Sequence, residues 1–126
     1  MPFDVDKFAA HLTKNAAKHS QHHCAKFVRR SLEAGGANTS GHPTPARDYG
    51  PTLLRNGFHA ITISDPATFH FLKGDIVVIQ PTKNGDSAGH IAGYDGTNWV
   101  SDFVQHGFWP GPAYEKEKPS YVVYRR

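Results

Sequence analysis

Gly89-His90-Ile91-Ala92-Gly93-Tyr94 and Asn98-Trp99-Val100-Ser101-Asp102, joined by Asp95-Gly96-Thr97, read as the two arms of a β-hairpin. The arms carry β-branched and aromatic residues, and Asp-Gly marks the turn. A three-residue loop pairs Tyr94 with Asn98 and so sets His90 directly opposite Asp102, with β-carbons about 4.5–5.5 Å apart. A two- or four-residue loop would send the two side chains to opposite faces, because a one-residue slip reverses every side chain. Ala92 is the next residue on the face of His90, and its small side chain leaves room beside the imidazole.

Outward from the hairpin, residues 61–63, 75–80 and 120–124 are further short apolar runs bounded by Gly, Pro, Asn and Asp, and read as strands. The first half has a different period. Phe8, Ala9, Leu12 and Ala16 recur every three or four residues behind Asp4 as N-cap, predicting a helix to about Lys18. Cys24, Phe27, Val28 and Leu32 share one face of a second helix that begins at or just before Cys24 and stops at Gly35-Gly36. Residues 37–46 form a loop, and Tyr49, Leu53 and Leu54 suggest a short helix closed by Gly57. Helices followed by an antiparallel sheet define the α+β class, with helices on one face of the sheet. Trp99 and Phe103 are expected to be buried against those helices.

The chain has 126 residues, 38% of them hydrophobic and only 20% charged, which suits one domain with one modest core, spanning 1–126, and excludes a disordered polymer. The net charge of +3 comes from dispersed Lys and Arg, so no basic run points to nucleic acid. One cysteine excludes an internal disulfide and leaves the Cys24 thiol free. No apolar stretch is long enough to span a membrane, and Met1-Pro2-Phe3-Asp4-Val5-Asp6 has no signal-peptide character, which predicts synthesis without a classical export signal.

Cys24 falls in the first turn of a helix, where unpaired backbone N–H groups and a partial positive charge favour a thiolate. The same end offers the Cys24 N–H to an oxyanion. Burial among apolar neighbours is the competing explanation for a lone cysteine. With His90 as base and Asp102 as the group that orients it, Cys24 has the partners of a nucleophilic triad. His19, His22 and His23 beside Cys24 invite a zinc reading, but ligands crowded into neighbouring positions rarely converge on one ion, and no second ligand cluster completes a site. No metal and no cofactor is expected.

Cys24-Ala25-Lys26-Phe27-Val28, then Gly74-Asp75-Ile76-Val77-Val78, then Gly89-His90-Ile91-Ala92-Gly93-Tyr94-Asp95-Gly96, with a polar residue on the next strand, resembles the NlpC-like and CHAP peptidoglycan peptidases in order and interval. The resemblance spans residues 20–104. It implies a papain-like α+β fold, with Cys24 as nucleophile, His90 as base and Asp102 as third member, hydrolysing an amide of the peptidoglycan stem peptide or crosslink. One departure is that His23 precedes Cys24 and Ala25-Lys26 follows it, which leaves the second oxyanion donor open among Ser20, Gln21 and His22. Asp48, Tyr49 and Gln105 are the expected substrate contacts.

An enzyme of this class without a leader needs another route to the wall. Delivery as an antibacterial effector, acting in the periplasm or wall of a target cell and accompanied by an immunity protein, is the reading that follows. A monomer with no nucleic-acid partner is expected. A phage-type lysin of the same chemistry and a noncatalytic basic wall-binding module are the alternatives; a peptidase or transferase acting on protein is a third.

Overall fold

The computed structural model describes residues 3–18 and 23–126. Asp4 accepts a hydrogen bond from the Lys7 amide at 3.0 Å and starts helix α1 (Val5–Asn15), whose Phe8, Ala9 and Leu12 are buried. The helix stops at Asn15 rather than near Lys18 because the Ala17 amide is taken at 2.9 Å by the Asp102 carbonyl, where Ala17 bridges Phe103. Helix α2 (Cys24–Ala34) packs beside α1 through Val28 and Leu32, and His11 Nδ1 meets Ser31 Oγ at 2.7 Å between them. A 3-10 turn (Ala46–Asp48) and helix α3 (Gly50–Arg55) complete the helical half.

Five strands follow: β1 (His59–Ile61), β2 (Ile76–Ile79), β3 (His90–Tyr94), β4 (Trp99–Val100) and β5 (Tyr121–Arg125). They form one antiparallel sheet in the order β1-β5-β2-β3-β4. This is the α+β architecture that the sequence pattern predicts, with helices ahead of an antiparallel sheet as the resemblance implies. Ile76 and Val78 of β2 and Ile91 of β3 face the helices, where they join Phe8, Leu12, Val28, Leu32 and Leu53. Complete burial of Phe8 or Leu12 is worth about 1.5–3 kcal/mol each. Gly93 permits this packing: a β-carbon there would sit 2.7 Å from Phe8 Cζ and 2.8 Å from Leu12 Cδ1.

The second face of the sheet is not left to water. Val77, Ile79 and Ala92 are covered by Trp99, Phe108, Phe71, Trp109 and Tyr121, rings that meet mostly edge to face, with Phe71 stacked on Phe108. That is why β2 is buried at every position although the sheet is antiparallel. Trp99 is therefore buried on the face away from the helices, contrary to expectation. A further helix, α4 (Pro112–Glu117), starts behind Gly111 with proline in its first turn.

The hairpin register also differs from the expected one. Tyr94 pairs with Trp99 and Gly93 with Val100, so the loop is the four residues 95–98. Asp95 Oδ1 accepts from the Thr97 and Asn98 amides at 2.9 and 2.7 Å, and the Asp95 amide donates to the Asn98 carbonyl at 3.0 Å. That network draws Asn98 into the turn, and His90 and Asp102 are not cross-strand partners. β4 ends at Val100, and the chain doubles back tightly through a Val100–Val104 bridge, with the Gln105 amide on the Trp99 carbonyl at 2.9 Å.

Candidate active site

Cys24 is the first residue of α2, and His90 the first of β3. Both line one cleft of about 450 Å³, with His23, Lys26, Asp86 and Tyr114 also on its walls. Because β4 is so short, no strand among the described residues pairs with the start of β3 on that side, and the Ile91 backbone N–H is turned to the Cys24 sulfur, as is that of Ala25. Gly89, at φ +72°, turns the chain into β3; a β-carbon there would stand 2.5 Å from the Ile79 carbonyl oxygen.

His90 is held by Gln105. Nε2 of the imidazole lies 2.8 Å from Gln105 Oε1, and the Gln105 Nε2 donates to the carbonyls of Gly107 and Phe108 at 2.9 and 3.2 Å. Those two acceptors fix the amide with its oxygen towards the ring, so His90 Nε2 carries the proton and Nδ1 keeps the lone pair. The ring also stands against Tyr114, centroids 5.9 Å apart.

Asp102 is buried in the bend after β4, where its Oδ2 accepts from the His23 amide at 2.7 Å. Its own carbonyl accepts from Ala17, so Asp102 grips the chain both after α1 and at the start of α2. The carboxylate is near enough to act electrostatically on both Cys24 and His90.

Burial pushes the Cys24 thiol above its ordinary value; the Ile91 and Ala25 N–H groups pull it back, while Asp102 and Asp86 push it further up. Burial likewise lowers His90, against the opposing pull of Gln105 and Asp102. The resting pair is therefore thiol and neutral imidazole, and desolvation overrides the helix terminus that the sequence suggested would favour a thiolate. The Tyr114 phenol is pushed up to about 12, by burial first, then by the charge Cys24 carries once ionised at high pH and by that of Asp86, so it remains a donor.

The expected substrate contacts are placed elsewhere. Tyr49 is a core residue with its hydroxyl 3.4 Å from His42 Nδ1, Asp48 is exposed beside Arg47, and Gln105 lies behind His90 rather than on the cleft wall. Ser20, Gln21, His22 and His19 lie outside the described residues. Among the described residues no group of three or more His, Cys, Asp or Glu is arranged to hold a metal, and no helix is long and apolar enough to cross a membrane. Sequence reasoning missed Asp86 and Tyr114. Gly111-Pro112 was the available signal for the helix that carries Tyr114.

No protein-family model matches the sequence, and no match among curated proteins was found. Among solved structures, the native type VI effector–immunity complex Tae3–Tai3 from Ralstonia pickettii matches at 42% identity with a TM-score of 0.85, covering 98% of each chain. The chain belongs to the Tae3 family of type VI effectors. The selenomethionine form of that complex matches at 43% identity with a TM-score of 0.81, covering 94% of this chain and 99% of that one. The likeness to Tae3 runs through the whole fold, including both elements that begin with Cys24 and His90.

Proposed function

We propose that this chain is an antibacterial amidase delivered by a type VI system, which hydrolyses an amide of the peptidoglycan stem peptide or crosslink by cysteine chemistry of the NlpC-like and CHAP kind. The observation that carries the reading is the shared cleft of Cys24 and His90, with the imidazole fixed by Gln105. Kinship with an effector crystallised with its immunity protein supports the delivery route, action in the periplasm or wall of a target cell, and control by a cognate immunity protein.

In this reading His90 Nδ1 takes the proton of the Cys24 thiol as the sulfur attacks the substrate carbonyl. The Cys24 backbone N–H, at the open end of α2, faces the developing oxyanion. The imidazolium then returns its proton to the leaving amine, which departs and leaves a thioester. Water, deprotonated by the same nitrogen, cleaves the thioester and restores the thiol. Gln105 acts as orienter of His90, and Asp102 holds the start of α2 while its charge favours the transient imidazolium.

Digestion of purified sacculi followed by mass spectrometry of the released muropeptides tests the proposal. The native protein releases products that Cys24→Ala does not; equal release by both would refute the cysteine mechanism. Unmodified sacculi together with cleavage of a protein substrate would point instead to a protein peptidase.

A further inference from the structure

Helix α4 buries no residue, so core packing does not explain why the chain folds there. It is fixed from outside: the Glu117 carboxylate accepts from the Lys83 amide at 2.8 Å, and Lys118, at φ +48°, ends the helix with its amide on the Tyr114 carbonyl at 2.8 Å. What α4 brings into the cleft is Tyr114. The ring packs on the aromatic layer of the second sheet face and stands against His90, the two rings inclined by 52°. Its hydroxyl, by contrast, has no hydrogen-bond partner among the described residues. It lies close enough to Cys24 to feel the charge of an ionised sulfur, and it keeps its proton up to about 12. Tyr114 is thus a half-buried neutral donor, held by its ring and unspent at its tip, while the other side-chain donors of the cleft wall on the helical half, His23, Lys26 and Thr44, are exposed.

We propose that Tyr114 is a further catalytic residue, its hydroxyl donating to the oxyanion alongside the Cys24 backbone N–H. The proposal rests on the hydrolase reading above and adds a second donor to it. The Ala25 and Ile91 N–H groups are turned to the sulfur, which leaves the Cys24 N–H for the substrate oxygen. As the sulfur attacks, the S–C bond forms, the carbonyl π pair moves onto oxygen and the thiol proton passes to His90 Nδ1. The phenol hydrogen-bonds to that oxygen and keeps its own proton. When the C–N bond breaks, its electron pair leaves with the nitrogen, which takes the imidazolium proton, and the pair on oxygen re-forms the carbonyl. The contact therefore strengthens only while charge stands on the oxygen, which raises kcat rather than substrate affinity. A neutral donor achieves this without a fixed cation beside His90, which would lower the imidazole further.

Tyr114→Phe removes the hydroxyl and keeps the ring against His90. Steady-state muropeptide release is expected to show kcat lower by about 10²–10³-fold, the worth of one oxyanion donor, with KM little changed and the acid limb of the pH–rate profile in its native place. Alkylation of Cys24 by iodoacetamide forms no tetrahedral oxyanion, so the variant is expected to alkylate at the native rate. Native kcat in Tyr114→Phe overturns the proposal. So does a lost kcat accompanied by equally slowed alkylation or a displaced limb, since the hydroxyl would then act through the Cys24–His90 pair. A raised KM at native kcat overturns it as well, because it marks a contact made equally to the ground state. Failure of the proposal alone shows in the variant. Failure of the hydrolase reading, and of the proposal with it, shows in the native protein, as sacculi left uncut.

Discussion

His90 Nε2 donates to Gln105 Oε1 at 2.8 Å, and Gln105 is itself pinned by the carbonyls of Gly107 and Phe108. The tautomer of the base is thus set by a chain of backbone acceptors reached through one side-chain amide. Gln105→Ala removes the link while leaving Cys24 and the cleft walls untouched. The expected result is a fall of about 10²-fold in kcat/KM for muropeptide release, the scale of a general-base contribution lost in part, with the circular dichroism spectrum unchanged. Retention of full activity would show that the imidazole does not need this anchor.

The pH dependence follows from the direction of the two shifts. His90 must be neutral to accept the thiol proton, and burial lowers it from its ordinary 6.5. The acid limb of kcat/KM therefore lies below about pH 6.5, and activity persists as pH falls through that value. Gln105 is the larger of the influences pulling His90 back up, so Gln105→Ala moves the limb lower still. Cys24 is displaced the other way, above its ordinary 9.0, so no thiolate–imidazolium pair is stored in the resting protein. Rates measured between pH 4.5 and 8 check the first statement, and iodoacetamide alkylation of Cys24 followed from pH 7 to 10 checks the second; a limb above 6.5 would contradict the buried, neutral histidine, and a thiol that alkylates at its full rate at pH 7 would contradict the raised Cys24.

Asp102 accepts from His23 through its carboxylate and from Ala17 through its carbonyl. Asp102→Ala leaves the His23 amide without its acceptor at the start of α2. A loss of about 1.5–3 kcal/mol is expected in urea unfolding, the range for a hydrogen bond to a charged group. Removing the charge also lets the Cys24 thiol ionise more readily, so alkylation at fixed pH quickens. Asp102→Asn keeps an acceptor oxygen and is expected to recover most of the stability while alkylating as fast. Undiminished stability in Asp102→Ala would mean that the His23 contact contributes nothing.

Much of this site was legible because periodicity is local. Cys24, Phe27, Val28 and Leu32 mark a helix face, and the alternation after Gly89 marks a strand, so the two residues that open α2 and β3 followed directly. The partner of His90 did not, since it depends on where a turn closes. Asp95 caps both Thr97 and Asn98, and that side-chain network adds a residue to the loop and cancels the His90–Asp102 pairing. Gln105 comes to His90 only because the chain reverses after Val100, a non-repeating turn with no period to read. Tyr49 shows the limit from the other side: beside exposed Asp48 it looks like a cleft residue, yet its ring belongs to the core.

The Gly74-Asp75 step that opens β2 is explained by stability rather than chemistry. Asp75 is 1% exposed and takes a two-pronged interaction from Arg125 of β5, Nε to Oδ1 at 2.8 Å and an Nη nitrogen to Oδ2 at 2.7 Å. The same carboxylate accepts from the Leu72 amide at 2.9 Å, tying the loop before β2 to the end of β5. Asp75→Ala strands the part-buried Arg125 guanidinium and the Leu72 N–H together, and is expected to lower stability by about 3–5 kcal/mol, the usual cost of breaking a buried pair from one side. Arg125→Lys keeps the charge but not the fork, so it should fall between the native protein and Arg125→Ala. Urea midpoints of the three variants test the ranking. A midpoint for Asp75→Ala equal to that of the native protein would show that the pair contributes no net stability.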